Sequence, residues 1–191
     1  MIKHRHFILH KPYGYLSQFI YEGKRKSRKK LLGGLYDFPK GVMAIGRLDE
    51  NSEGLLLLTT DGKVSEYIRS RKVAKEYYVQ VGGCIDNAAI EKLQSGVEIG
   101  VGGQKYTTKP CKAFHITTLA NIPIADRKIR DERHGPMSWV SITLTEGKFR
   151  QVRKMTAAVG FPTLRLIRVR IGNCQLQLAA GEVIEVDKFD T

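Results

Sequence analysis

The sequence predicts an α+β protein built on a mixed, mostly antiparallel sheet flanked by helices and loops. Three observations carry that prediction. Strand-length runs of β-branched, aromatic and aliphatic residues outnumber the stretches with helical periodicity. Turn signals recur between them, at Pro12-Tyr13-Gly14, Thr60-Asp61-Gly62 and Glu146-Gly147, so local hairpins are frequent. No linker, low-complexity tract or internal repeat interrupts the 191 residues, a length that suits one large domain or two small lobes sharing a core.

Taken in order, His6 to His10 reads as a first strand that stops at Lys11-Pro12-Tyr13-Gly14. The run Lys24, Arg25, Lys26, Arg28, Lys29 and Lys30 repels itself and belongs on an exposed loop or helix start. Val42 to Ile45 is a short apolar run, and Leu55 to Thr59 a buried strand. Lys63 to Ser70 is helical, with Val64, Tyr67 and Ile68 on one face. Glu76 to Val81 is a strand, and Asp86 caps a helix from about Asn87 to Gln94 that Gly96 ends. Residues 100–112 carry short strands, and 120–136 form a polar loop with Pro123 and Pro136. Trp139 to Thr145 is a strand, and Lys148 to Val159 a helix ended by Gly160. Leu164 to Ile171, Gln175 to Leu178 and Val183 to Val186 complete a strand-rich C-terminal half.

Charge narrows the function. Lys and Arg total 32 against 19 Asp and Glu, for a net charge of +13. Such an excess points to a polyanionic partner, and nucleic acid is the commonest; a solvated basic surface or an acidic membrane is the bland alternative. The start, MIKHRHFILHKPYGYL, has no signal-peptide stretch, and no run approaches transmembrane length. Cys84, Cys111 and Cys174 fit neither a disulfide framework nor a zinc spacing. His4, His6 and His10 read as a solvent- or RNA-facing side of the first strand rather than a metal site. A reducing cytoplasm and no metal follow.

Several residues are able to do chemistry. Asp49 follows Arg47 and opens onto the Leu55–Leu58 run, so it is either a turn carboxylate or one held ionised by arginines in a partly dry site. Strand alternation places Tyr77 and Tyr78 on opposite faces, where one ring stacks on an extruded base or both pack in the core. On the 148–159 helix, Val152, Met155 and Val159 share a face, and Arg150, Arg153 and Lys154 group on the other. That basic face holds phosphates, pairs with Asp49, or is simply solvated. In Leu164 to Ile171, Arg165 and Arg168 alternate with apolar residues as on an RNA-facing sheet edge or a plain surface strand.

Together these segments resemble a known family. Gly46-Arg47-Leu48-Asp49-Glu50-Asn51-Ser52-Glu53-Gly54-Leu55-Leu56-Leu57-Leu58-Thr59 is similar to the catalytic motif of the pseudouridine synthases of the RsuA/RluB/RluE/RluF type. Lys11-Pro12-Tyr13-Gly14, Lys75-Glu76-Tyr77 and Glu146-Gly147-Lys148-Phe149-Arg150-Gln151-Val152-Arg153-Lys154-Met155 agree in order, and the likeness spans residues 6–187. Within the family, Gln18-Phe19 and Gly160-Phe161-Pro162-Thr163-Leu164-Arg165-Leu166-Ile167-Arg168 are most like the members that act on large-subunit rRNA. The S4 domain that many members carry ahead of the catalytic block has no room here.

The resemblance implies one catalytic domain over 1–191, whole or as two sub-lobes sharing a continuous sheet, and acting as a cytoplasmic monomer without cofactor. Asp49 would be the essential carboxylate, Tyr77 the ring on the target base, and Arg153 the ion-pair partner that orients Asp49. Arg47 would fill the space the base vacates. Lys11, Lys24, Arg25, Lys26, Arg28, Lys29, Lys30, Arg150, Lys154, Arg165 and Arg168 would contact RNA. The implied substrate is 23S rRNA or a large-subunit assembly precursor. The alternatives are 16S rRNA or tRNA as substrate, or a non-catalytic RNA-binding module of ribosome assembly.

Overall fold

The computed structural model describes residues 4–21, 29–70, 73–118, 122–125, 127–130 and 132–191. Its elements run β1 (His6–Lys11), β2 (Tyr15–Leu16), β3 (Lys30–Leu31), β4 (Met43–Ala44), β5 (Glu53–Thr59), α1 (Gly62–Arg69), β6 (Lys75–Gly82) and α2 (Asn87–Ser95). They continue with β7 (Glu98–Val101), β8 (Gln104–Thr107), β9 (Lys112–His115), β10 (Met137–Leu144), α3 (Gln151–Ala158), β11 (Thr163–Ile171), β12 (Cys174–Gln175) and β13 (Val183–Val186). The α+β class read from the sequence is the class observed: β1 pairs antiparallel with β5 and β13, β10 with β6 and β9, and β7 with β8, while the short β2–β3 pair is parallel. The chain folds as a terminal unit, residues 1–73 and 168–191, and a central unit, residues 74–167.

In the terminal unit β1 lies between β5 and β13, with His6 opposite Thr59 and Lys11 opposite Gly54. Every residue of β5 is buried because both of its faces are covered. Strand alternation sends Leu55 and Leu57 into one apolar cluster, with Ile45, Ile68 and Ile171, and Leu56 and Leu58 into another, with Phe7, Leu9 and Leu32. The four leucines thus serve two cores, each contributing about 1.5–3 kcal/mol by burial. Aromatic edges close the second core: Phe38 meets Phe7 at 5.4 Å and Phe19 at 5.3 Å. The expected turn at 60–62 is a helix start, where the Asp61 carboxylate accepts from the Lys63 amide at 2.8 Å and so caps α1.

In the central unit β10 pairs with β6 along its whole length and with β9 on its other side. Helices α2 and α3 pack Leu93, Val152 and Met155 against Val79, Val81, Val140 and Ile142. Asp86 caps α2 through the Ala89 amide at 2.7 Å, and Gly96 ends it at φ +102°, as the sequence predicts. Helix α3 begins later than expected. The Gln151 side chain accepts from the Lys148 amide at 2.9 Å and closes a non-helical turn ahead of it, which leaves Arg150 left-handed at φ +54°.

Candidate active site

Asp49 sits in the turn that feeds β5, and that turn is fixed from three directions within the terminal unit. Its carbonyl accepts from the Ser52 amide at 3.0 Å. The next residue, Glu50, accepts from the Gly14 amide at 2.8 Å, so the Pro12–Gly14 turn is stitched to the motif. Ser17, itself buried, holds Leu48 twice: its hydroxyl donates to the Leu48 carbonyl at 2.8 Å and accepts from the Leu48 amide at 3.0 Å. Leu48 anchors its own side chain in the interior, while Arg47 before it stands exposed and Asp49 after it is half-buried. A carboxylate and a guanidinium are therefore presented from a backbone with little freedom to drift.

Beneath this turn lies a charged layer with almost no water. Glu53, Ser52, Lys11 and Arg168 are all buried. Burial pushes the Lys11 ammonium down to about 8, against the pull of Glu53, Glu50 and Asp49, which favour its charge. Its Nζ donates to the carbonyls of Pro12 at 2.9 Å and Tyr15 at 2.6 Å. Arg168 donates through Nε to the Leu55 carbonyl at 2.8 Å. Gly54 makes this layer possible. It stands at φ +107°, and a Cβ there would press on the Arg168 carbonyl and lie 2.7 Å from its amide nitrogen.

The residues expected from the sequence divide between the two units. The terminal unit holds Asp49, Arg47 and Lys11; the central unit holds Tyr77, Arg150, Arg153 and Lys154. Tyr77 packs part of its ring on the central core that also takes Val152 and Met155 from α3. The same core thus positions the ring and the helix that carries Arg153. The start of that helix is held by Glu146, which is buried and accepts from Tyr106 Oη, from the Lys109 amide at 2.9 Å and from Gln151 Nε2 at 2.6 Å. Burial alone would raise the Glu146 carboxyl, but those hydrogen bonds and the nearby Lys148 outweigh it and hold it low.

Several expected RNA contacts are corrected. Lys11 is fully enclosed, because β1 carries it under the Pro12–Tyr15 turn, and it offers no surface to a phosphate. Arg165 and Arg168 are also buried: β11 is covered on both faces instead of lining an open edge. Arg165 donates to the carbonyl of Pro123 at 2.7 Å and so ties the 122–125 segment to β11. Arg150 is exposed but lies outside the helix, so it is not part of one face with Arg153 and Lys154. Lys154 donates to the Gly100 carbonyl at 2.6 Å and lies over the Phe149 ring at 5.3 Å. Lys29 bridges to Glu50 at 2.6 Å, and the exposed Lys30 lies over Tyr15 at 5.5 Å. Lys24, Arg25, Lys26 and Arg28 lie outside the described residues. His10, expected on an outer face, is buried with Nδ1 against the Leu178 carbonyl at 2.8 Å.

Sequence reasoning passed over Ser17, Glu53 and Glu146 as functional residues. Glu53 and Glu146 stand inside the quoted motifs, but only burial separates a motif glutamate that is enclosed from one that is solvated. Among the described residues no group of three or more His, Cys, Asp or Glu is placed to hold a metal, and no helix is long and apolar enough to cross a membrane. Burial pushes the Cys111 thiol up to about 11, the opposite of an activated nucleophile.

The strand-rich α+β frame that carries these residues is shared with enzymes that isomerise uridine in RNA. The chain belongs to the RNA pseudouridylate synthase family, whose model matches residues 5–158. It is 40% identical over 175 residues to the ribosomal large subunit pseudouridine synthase E of Xanthomonas axonopodis pv. citri (strain 306), covering 91% of this chain and 88% of that protein. It is 37% identical over 154 residues to the ribosomal large subunit pseudouridine synthase B of Escherichia coli (strain K12), covering 78% of this chain and 46% of that longer one. A crystal structure of a pseudouridylate synthase matches with a TM-score of 0.73 at 28% identity, over 97% of this chain and 71% of that one.

Proposed function

We propose that this enzyme converts one specific uridine of 23S rRNA, free or in a large-subunit assembly precursor, to pseudouridine. The observation that carries the substrate is the 40% identity to an E-type large-subunit synthase across nearly the whole of both chains. The reaction is an isomerisation: the bond from the sugar C1′ to N1 breaks, the uracil turns, C1′ bonds to C5, and the proton lost from C5 is balanced by one gained at N1. Asp49 is the carboxylate that assists the first cleavage, whether at the sugar or the base. Its bracing by Ser17, Gly14 and Ser52 supports that role, since a preorganised charge costs little reorganisation during reaction.

The target base must leave its stack first, at a cost of a few kcal/mol. Arg47, exposed beside the braced Asp49, is the side chain that takes the vacated space. Tyr77 stacks on the flipped base and accepts the C5 proton, and Arg153 is the ion-pair partner that orients Asp49. On this reading the two units work as one cytoplasmic, monomeric catalytic domain without cofactor, with further phosphate contacts from the 24–30 basic run and Arg150.

The test is to map pseudouridines in rRNA from a strain lacking the protein and to restore the gene as wild type or Asp49→Asn. Loss of one 23S site, recovered only by wild type, is expected. Loss of a 16S site instead would overturn the substrate, and full recovery by Asp49→Asn would overturn the catalytic role.

A further inference from the structure

Away from Asp49 the terminal unit carries a second concavity. Strand β5 runs seven residues from the catalytic turn to Thr59, roughly 20 Å at ~3.3 Å per residue, and α1 follows at its far end. There a cavity of about 430 Å³ opens between α1 and the C-terminal segment, lined by His6, Lys63, Val64, Tyr67, Lys188 and Phe189 among others. Its size is that of a small-ligand pocket.

Its floor is apolar, formed by the buried Ile68 with Val64 and Phe189 packed beside it. Its rim is not. Tyr67, 56% exposed, leaves most of a large aromatic ring in solvent on the helix face where burial was expected. Lys63 and Lys188 are exposed, and neither forms an ion pair among the described residues. The His6 ring meets Phe189 edge-on at 5.2 Å, and its Nδ1 is engaged by Thr59 Oγ1 at 2.9 Å, which directs Nε2 away from that bond. The lining side chains carry two ammonium groups and no carboxylate, and Thr191, the last residue of the chain, brings its α-carboxylate to the same lining.

An aromatic face, a polar ring edge and paired cations around an apolar floor match one chemistry: a planar heteroaromatic flanked by phosphates. We infer that this cavity holds an unpaired nucleobase of the substrate RNA, distinct from the target uridine, with its ring on Tyr67 and its flanking phosphates on Lys63 and Lys188. Base–aromatic stacking of this kind tolerates any base, so the site anchors a distant single-stranded segment instead of reading sequence. The inference rests on RNA being the substrate. An acidic peptide would satisfy the lysines but has no use for the exposed ring.

The test compares two RNAs, a full 23S transcript and a short hairpin excised around the modified uridine. Tyr67→Ala is expected to weaken binding of the transcript roughly tenfold, in keeping with ~1–3 kcal/mol per stacked base. Binding and conversion of the hairpin should not change, because it is too short to reach the cavity. Tyr67→Phe, which keeps the ring, should restore transcript binding. Lys63→Glu with Lys188→Glu should lower the slope of log Kd against log salt by about 1.4 for single-stranded contacts. Unchanged transcript binding in Tyr67→Ala and in the double lysine variant would overturn the inference. So would an equal loss on both RNAs, which would place Tyr67 in general folding. Hairpin conversion by the wild-type enzyme reports separately on the catalytic reading.

Discussion

Ser17→Ala is the substitution that most directly tests the bracing of Asp49. The hydroxyl makes a buried two-way clamp, donating to the Leu48 carbonyl at 2.8 Å and accepting from its amide at 3.0 Å. Alanine leaves both backbone groups without that partner in a site closed to solvent, a cost of about 1–3 kcal/mol. For a chain of this size that lowers the melting temperature by several degrees, at about 2–4 °C per kcal/mol. The functional effect is larger than the stability effect. Leu48 is the only residue between Arg47 and Asp49, so a loosened Leu48 moves the carboxylate, and a displacement near 1 Å costs on the order of a hundredfold in rate. The expected result is a fall in kcat for pseudouridine formation of roughly ten- to a hundredfold, with KM changed little, since Ser17 itself is buried. Ser17→Thr retains the hydroxyl and should recover most of the rate. Turnover of Ser17→Ala within twofold of wild type would refute the bracing, and so would a kcat loss matched by a loss of folded protein.

Three further outcomes follow from the same geometry. Lys11 titrates near 8 in the folded chain and 10.5 when unfolded, so the unfolded state holds more protons between those values and stability rises with pH across that window. The rise is on the order of 3 kcal/mol by linkage. Urea titrations between pH 8 and 9, with Cys84, Cys111 and Cys174 replaced by Ala because thiols titrate in the same range, should show about 1 kcal/mol of the rise with Lys11 present and none of it in Lys11→Met; parallel slopes would contradict it. Gly54→Ala should fail to give soluble folded protein, because its Cβ collides with the Arg168 backbone at a left-handed φ; native yield and melting behaviour would count against the close approach. Glu146→Gln should speed amide exchange in the first turn of α3. In the wild type the Glu146 contribution is present at neutral pH and is lost as pH falls from about 4.5 toward its depressed folded value. Unchanged exchange in α3 would show that Glu146 does not hold it.

Much of the fold was legible in the chain because its signals are local. Asp86 caps a helix through the amide three residues on, Gly96 ends it by its own φ, and Leu55–Thr59 is apolar enough to be buried in any packing. The start of α3 was misplaced because Gln151 bonds back to Lys148, and no propensity separates that from an ordinary helical glutamine. Family membership was also legible, since it rests on ordered motifs. The proposal for Asp49 comes by that route and not by spacing, which reads it sooner as a turn residue than as a catalyst.

What the tertiary structure alone decided is which charges are inside. A lysine or arginine in a strand reads as surface whenever one sheet face is assumed to meet water. Lys11, Arg165 and Arg168 are enclosed because β1 passes beneath a turn and β11 is covered on both sides, and each donates to a backbone carbonyl. Those carbonyls are supplied from positions as far away in sequence as Leu55 is from Arg168, a relation that composition cannot encode. The clamp of Ser17 on Leu48 is of the same kind, joining residues 31 apart. The sequence by itself determined the class of enzyme and singled out Asp49 as the carboxylate proposed for its chemistry. Long-range packing decided how that aspartate is held, because only the folded chain brings a hydroxyl and a buried ammonium to its turn.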